Sequence, residues 1–319
     1  MSNNIKVCLI GAGYMAKEYY KVLSDMNIET VVIGRGENNA AIFEQEMNHK
    51  VFVGGIEGAI KEIKIIPKNA IVAVGVEELK ETTLKLLKAG VKNILVEKPA
   101  GMNTKEIEEI IELSKKEEAR VYVAYNRRFY SSVEKALEII KQDDGVKSFN
   151  FEFTEWGHVL ENLEKSKNIK EKWLLANSTH VIDLAFYLGG YPEEMISFVE
   201  GKTNWHPSGA IYSGAGKTKE GMLFSYQANW NAPGRWGIEV LTNKHRLYFR
   251  PLEKLQIQNI GSVRLEDVVL NDEKDINFKP GIYKMINKFL IEKNKSELLK
   301  IEEHLKNMEI YKKISGYDI

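Results

Sequence analysis

The chain has 319 residues, 44% of them hydrophobic and 28% charged, which suits a globular protein of one large or two ordinary domains. Lysine plus arginine and aspartate plus glutamate each number 45, so the net charge is zero, which argues against a protein whose main partner is a nucleic-acid backbone. The one cysteine, Cys8, allows no disulfide within the chain, suits a reducing compartment, and reads as a small core residue inside its apolar run.

The opening "MSNNIKVCLIGAG" reaches a strand within a few residues and shows no signal-peptide pattern. No later run is long and apolar enough to span a bilayer, so a cytoplasmic protein without a membrane partner is expected. Short apolar runs predict strands at 6–10, 29–33, 51–53, 70–74, 93–96 and 121–124. Helical patterns lie between them at 14–25, 37–48, 56–63, 78–88 and 104–117. Continuous apolar strands, each followed by a helix, predict a parallel sheet covered on both faces.

After residue 125 the pattern changes. A helix at 132–140 precedes "VKSFNFEFTEW", which alternates with the two-residue period of a half-exposed strand. A lysine-rich segment, 161–172, reads as a solvated surface or a flap. The helical stretch "ANSTHVIDLAFYLGG" follows, then strand candidates at 195–202, 209–216, 221–230, 235–242, 245–250, 254–260 and 263–270. Pro233-Gly234 predicts a hairpin turn, and helices are expected at 281–292 and 299–314. The expected fold is α/β. Residues 1–125 form an N-terminal doubly wound parallel sheet of the Rossmann type. Residues 126–319 form a C-terminal α+β domain with a large open, mainly antiparallel sheet.

Gly11-x-Gly13-x-x-Ala16 follows the first strand and opens the first helix. The first glycine permits a tight turn, the second lets backbone approach a pyrophosphate, and the third small residue lets helix and strand pack closely. Backbone amides at Tyr14 and Met15 then face the phosphates. The second strand ends in Gly34-Arg35, where an acid would bind the ribose of NAD. A guanidinium there grips a 2′-phosphate, so NADP is preferred and NAD is the alternative, with Asn38 and Asn39 as further hydrogen-bond donors. Ligands in such a sheet sit beyond the carboxyl ends of the strands, which assigns Val74, Gly75, Val76, Glu97 and Lys98 to the cofactor crevice. There Lys98 either orients a substrate hydroxyl or exchanges a proton with it while hydride moves.

His180 and Asp183 are three residues apart and share a helix face. No third or fourth ligand is near in sequence, so no metal site is expected. The pair on its own reads as a core histidine bonded to Asp183.

The GxGxxA turn, "EKPAG", "YNRRF" and "HVIDL" together resemble the Gfo/Idh/MocA family of oxidoreductases, in order and spacing over nearly the whole chain. The resemblance implies a Rossmann domain, an open-faced sheet domain, nicotinamide-dependent chemistry at a carbohydrate-like carbinol, and association through the sheet. By it Lys98 matches the catalytic lysine, with a Lys98–Pro99 peptide that can be cis, and His180 matches a histidine that assists proton transfer or binds a hydroxyl. The chain departs from the family at Ala176. Many members carry an aspartate there, one turn before the histidine, so a Lys–Asp–His relay lacks its middle member and Asn177 is left as a positioning group.

Further substrate-binding candidates are Asn126 and Arg128, the latter also readable as a structural tie. Trp156 and Trp173, with Trp230, read as a stacking platform or as core. Lys170, Lys172 and Arg235 read as cations for a substrate phosphate or carboxylate, or as surface. The expected activity is hydride transfer between nicotinamide and a carbinol or keto carbon of a sugar, cyclitol or nucleotide-activated sugar, with Lys98 and His180 at the reacting centre. The expected assembly is a homodimer or homotetramer through the C-terminal sheet. The alternative is a catalytically silent, cofactor-binding regulator or scaffold.

Overall fold

The computed structural model describes residues 6–63 and 66–318. The N-terminal residues 1–5 lie outside them. Contacts divide the chain into two compact units, Met1–Tyr125 with Lys274–Lys306, and Asn126–Glu273 with Asn307–Ile319.

In the first unit, β1 (Lys6–Ile10), α1 (Tyr14–Asp25), β2 (Glu29–Ile33), α2 (Glu37–Met47), β3 (Val51–Phe52), α3 (Gly55–Glu62), β4 (Asn69–Val72), α4 (Leu79–Lys88), β5 (Asn93–Glu97), α5 (Thr104–Lys116) and β6 (Arg120–Ala124) alternate along the chain. The six strands run parallel in the order β6-β5-β4-β1-β2-β3. Chain order reverses direction at β1, which pairs Cys8 with Val31 of β2 and with Ala70 of β4. That reversal is where a doubly wound sheet opens a ligand crevice. The strands are apolar in their middles because both faces are covered, with Lys6, Glu29, Asn93, Glu97 and Arg120 only at their ends. Leu9, Val32, Ile71 and Leu95 are fully buried, with Tyr19 and Leu23 of α1, Leu86 of α4 and Ile110 of α5 packed around them. Each such aliphatic side chain contributes about 1.5–3 kcal/mol by leaving water. Burial pushes the Cys8 thiol up to about 12, so it is a core residue and not a thiolate at neutral pH. Asn103 caps α5 by accepting from the Glu106 amide at 2.9 Å, and Glu106 reaches back to the Met102 amide at 2.7 Å, a reciprocal stop that sets where the helix begins.

The chain continues through α6 (Ser131–Gln142), β7 (Ser148–Glu152), α7 (Gly157–Leu160), α8 (Lys167–Glu171), α9 (Thr179–Gly189), β8 (Pro192–Glu200), β9 (Ile211–Thr218), β10 (Leu223–Asn229), β11 (Gly237–Leu241), β12 (His245–Phe249), β13 (Gln256–Asn259), β14 (Glu266–Asp267), α10 (Glu273–Asn277), α11 (Ile282–Leu290), β15 (Leu299–Lys300) and α12 (Ile301–Ser315). The second sheet has the order β14-β13-β12-β11-β7-β10-β9-β8, antiparallel except for β7 with β10. Phe149 and Phe151 of β7 stack on their register partners Phe224 and Tyr226 at 5.4 and 5.3 Å, and Phe186 of α9 meets both β7 rings edge-on. The opposite face is open. Ile196, Phe198 and Leu223 are 61%, 62% and 63% exposed there.

Four expectations change. The turn at Pro233-Gly234 does not close a hairpin, because β10 and β11 each pair with β7, which lies between them. The aromatic pairs of β7 are buried only at that central place. The span 263–270 holds just the short β14. The predicted helix at 299 starts two residues later, because Leu299 and Lys300 add antiparallel to β6 at the edge of the first sheet. That edge strand and α11 carry 274–306 into the first unit, although the sequence pattern grouped them with the second half.

Candidate functional site

The crevice of the first unit is built from strand ends. Gly11 follows β1 with φ +120, and a Cβ there would stand 2.3 Å from the Ala73 carbonyl oxygen, so only glycine fits. The turn is pinned on both sides: the Gly11 amide donates to Ile33 at 2.8 Å, and the Ala73 amide donates to Ile10 at 2.8 Å. Gly13 heads α1, and a Cβ there would meet nothing within 4 Å. No side chain caps that helix and no acid lies in its first turn. Ala16 is fully buried against the strand. A small-residue turn with open backbone amides and a positive helix end fits a dinucleotide pyrophosphate. Tyr14 is exposed with Lys279 over its ring at 5.4 Å, and Met15 follows it half-buried.

Beside this turn lies a cavity of about 410 Å³ lined by Gly11, Gly34, Arg35 and Val74, and also by Glu77 and Glu78. Arg35 is mostly exposed and ion-pairs with Glu78. The sequence reading did not foresee an acid on Arg35. Val74 and Gly75 form the loop after β4, Val76 opens a 3-10 turn, and Gly75 leaves open space where a side chain would be.

Glu97 ends β5 and accepts from the buried Tyr19 hydroxyl at 2.7 Å. Burial raises its carboxyl above the ordinary range against the opposing pull of that bond and of Lys98 and Lys279. The Lys98–Pro99 peptide is cis, and the His304 Nε2 donates to the Pro99 carbonyl at 2.8 Å. Tyr14, Met15, Arg35, Val74, Gly75, Val76, Glu97 and Lys98 thus all lie at or just past the carboxyl ends of the parallel strands or at the start of α1.

The second unit gathers its polar groups around the start of α9. Residues 174–178 form a π-helical turn, a geometry often found at functional sites, and α9 continues from it. Trp173 through Phe186 are all buried except Asn177, which is partly exposed. His180 is 7% exposed, with its ring 6.3 Å from that of Trp236. Arg127 and Arg235 each hold a guanidinium 4.8 Å from the Trp236 ring centroid, and Arg235 also covers Trp156 at 4.8 Å. Asn126 is buried in the 3-10 turn after β6. Arg128 is committed to Asp183, and Asn307 gives that carboxylate a further bond at 3.3 Å. Among the three tryptophans of the expected platform, only Trp156 is exposed. Trp173 packs edge-on to Trp205, and Trp230 stacks on Trp205 and donates to the Phe153 carbonyl. Lys170 donates to the Glu161 carbonyl within the segment 161–172, and Lys172 caps the end of α8.

The group that sequence reading missed is Glu155. Its side chain is 1% exposed. It accepts from Asn177 Nδ2 at 2.9 Å and Ser178 Oγ at 2.7 Å on one oxygen, and from Arg235 at 3.1 Å on the other. Burial raises its carboxyl, and these three donors partly offset that. In "TEW" it reads as one more surface charge, and no local signal marks it. Among the described residues no group of three or more His, Cys, Asp or Glu converges as a metal site. No described helix is long and apolar enough to cross a membrane.

Residues 5–125 match the family model described as an oxidoreductase family with an NAD-binding Rossmann fold. No curated protein matches the chain. Among solved structures, an NAD-binding oxidoreductase from Klebsiella pneumoniae superposes with a TM-score of 0.78 at 14% identity, over 99% of this chain and 96% of that one. A UDP-N-acetylglucosamine 3-dehydrogenase from Acidithiobacillus ferrooxidans gives 0.75 at 13% identity, over 98% and 97%. A levoglucosan dehydrogenase in complex with NADH and L-sorbose gives 0.77 at 17% identity, over 98% and 95%. At these identities the likeness is one of fold.

Proposed function

We propose that this chain, a member of the Gfo/Idh/MocA oxidoreductase family through residues 5–125, moves a hydride between a bound nicotinamide dinucleotide and a carbinol or keto carbon of a sugar, cyclitol or nucleotide-activated sugar. The observation that carries the reading is the pinned Gly11 turn at the head of α1, followed along the same sheet by a lysine just past the end of β5. The dinucleotide, when bound, supplies the hydride donor or acceptor. Gly11, Gly13, Tyr14 and Met15 hold its phosphates through backbone, and Gly75 leaves room for a flat ring.

As hydride leaves or joins the substrate carbon, the hydroxyl proton must leave or return. Lys98 and His180 are the groups that hold and move it, with Asn177 binding a neighbouring group. Asn126 and Trp156 are the remaining substrate contacts, and Arg128 acts through α9 by way of Asp183. The likeness in fold to a levoglucosan dehydrogenase and a UDP-N-acetylglucosamine 3-dehydrogenase supports that substrate class. Arg35 favours NADP over NAD, within the small margin that Glu78 allows. Ile196, Phe198 and Leu223 on the open sheet face support a homodimer or homotetramer of a cytoplasmic enzyme.

The second reading is a catalytically silent cofactor binder. Ala176 favours it, since it leaves the π-helical turn without the carboxylate many family members carry. One assay separates the two. Wild type and Lys98→Ala are compared over a panel of sugars and nucleotide sugars with NAD and NADP in both directions. Turnover by wild type that falls about a hundredfold or more in Lys98→Ala supports the enzyme. Tight dinucleotide binding with no turnover on any substrate supports the silent binder.

A further inference from the structure

Glu155 brings three donors onto one buried carboxylate. Two of them, the Asn177 amide and the Ser178 hydroxyl, share Oε1, and Arg235 occupies Oε2. Every partner donates, so the carboxylate serves only as acceptor here. That fixes the Asn177 side chain. Its Nδ2 must face Glu155, and its Oδ1 is turned the other way. Among the described residues no hydrogen bond occupies that oxygen. Asn177 is also the one partly exposed residue in the stretch from Trp173 to Phe186.

We propose that Glu155 is a positioning residue that locks the Asn177 amide with its carbonyl oxygen outward, so that this point of the substrate side selects a ligand presenting a hydrogen-bond donor, a hydroxyl or an amide N–H. An asparagine without such a neighbour rotates freely between donor and acceptor faces and discriminates poorly. The lock makes position 177 an acceptor only. The Glu155 carboxyl also replaces, by a different route, the one that Ala176 lacks: it bonds the π-helical turn at Asn177 and Ser178 and acts through the amide. A site built to bond a donor rejects the analogue without it, because the bound analogue then covers the oxygen without pairing it.

This inference rests on the oxidoreductase reading for its substrate but not for its geometry, and the experiment keeps the two apart. The first arm needs no substrate. In 15N-labelled full-length protein the Asn177 side-chain amide is identified by its loss in Asn177→Ala and followed in Glu155→Ala and Arg235→Ala. Alanine leaves no oxygen at 155 to accept from the amide, so the expected result is a large shift and broadening in Glu155→Ala and a small shift in Arg235→Ala. An Asn177 signal unchanged by Glu155→Ala overturns the lock.

The second arm is kinetic, with UDP-N-acetylglucosamine and levoglucosan as the probes. Glu155→Ala and Asn177→Ala should each raise KM about tenfold with kcat nearly unchanged, and the double variant should be no worse than either single. A loss confined to kcat, or fully additive effects, overturns the proposal. If wild type turns over neither probe, the substrate reading fails for both sugars, and the amide signal alone still decides whether Glu155 sets Asn177.

Discussion

Arg128 donates from Nε and Nη2 to the two carboxylate oxygens of Asp183 at 2.8 and 2.6 Å, with the side chains 10% and 1% exposed. The fork joins the 3-10 turn after β6 to the second turn of α9, and Tyr187 covers the guanidinium at 4.7 Å. Two charges this deep exist only because each answers the other. Removing one leaves the other dry and unanswered. Asp183→Asn is therefore expected to cost about 3–5 kcal/mol, read as a drop in the urea midpoint at constant slope. Arg128→Met with Asp183→Leu should cost much less than Asp183→Asn alone. A double variant as unstable as the single would show that the pair contributes more than relief of a buried charge.

Glu97 gives a pH prediction of definite sign. Burial raises its carboxyl, so the folded chain keeps that proton to a higher pH than the unfolded chain does. The stability this provides is complete below the unfolded value and is lost as pH rises through the folded one. Glu97→Gln keeps an acceptor for the Tyr19 hydroxyl and carries no charge at any pH. Its stability relative to wild type should grow as pH rises from about 4 to 8, measured as paired urea midpoints. Asp143 acts in the opposite sense. The burial of its carboxyl raises it, but His245 and Thr242 together outweigh that and lower it, so it is unchanged in the comparison and cancels. A constant difference across the range would mean that Glu97 is solvated like any surface acid.

The first sheet was legible because its information is local. Each strand has an apolar middle and helical patterns separate the strands, so β1 through β6 and the Gly11 turn can be read a few residues at a time. The second sheet was legible as strands but not as an order. Pro233-Gly234 is a good turn wherever its flanking strands go, and what separates β10 from β11 is a strand about 80 residues earlier in the chain. The same limit hid Glu155. Its role comes from Asn177, Ser178 and Arg235, brought to it from 22 to 80 residues away. Arg128 was left open between substrate and structure for the same reason, and its partner is 55 residues on. Two residues, Leu299 and Lys300, left a helical pattern to extend a sheet edge, a tertiary choice that overrides a weak helical start.

Arg35 and Glu78 set a test of cofactor choice. Their side chains are 79% and 39% exposed, and such a pair contributes at most about 1 kcal/mol. A 2′-phosphate with two charges can displace Glu78 at that small cost, yet Glu77 beside it opposes the phosphate. Arg35→Ala is expected to lower the affinity for NADPH about tenfold and that for NADH about twofold or less. Glu78→Gln should raise the affinity for NADPH, since the competitor for the guanidinium is gone. Fluorescence titration of both reduced dinucleotides on all three proteins gives the four ratios. Equal losses for NADPH and NADH in Arg35→Ala would remove the phosphate from its role.

The open sheet face supplies the last prediction. Ile196 and Phe198 on β8 and Leu223 on β10 project from the side of the sheet that α9 does not cover, each about three-fifths exposed. Beside them the small side chains of Ser213, Ala215 and Ser225 leave a hollow of about 520 Å³, rimmed by the charged Glu239 and Arg250. Large exposed apolar groups beside such a hollow lose free energy to water that a second copy recovers, at about 25 cal/mol for each Å² of apolar surface covered. Phe198→Glu together with Ile196→Lys should shift the mass seen by light scattering after gel filtration from a multiple of the chain to 36.5 kDa, while the unfolding midpoint at low protein concentration changes little. Dinucleotide binding should persist in the dissociated protein, because Gly11, Gly13 and Arg35 all belong to the other unit. If wild type already runs at the mass of one chain, the face is covered by something other than a second copy, or remains in water.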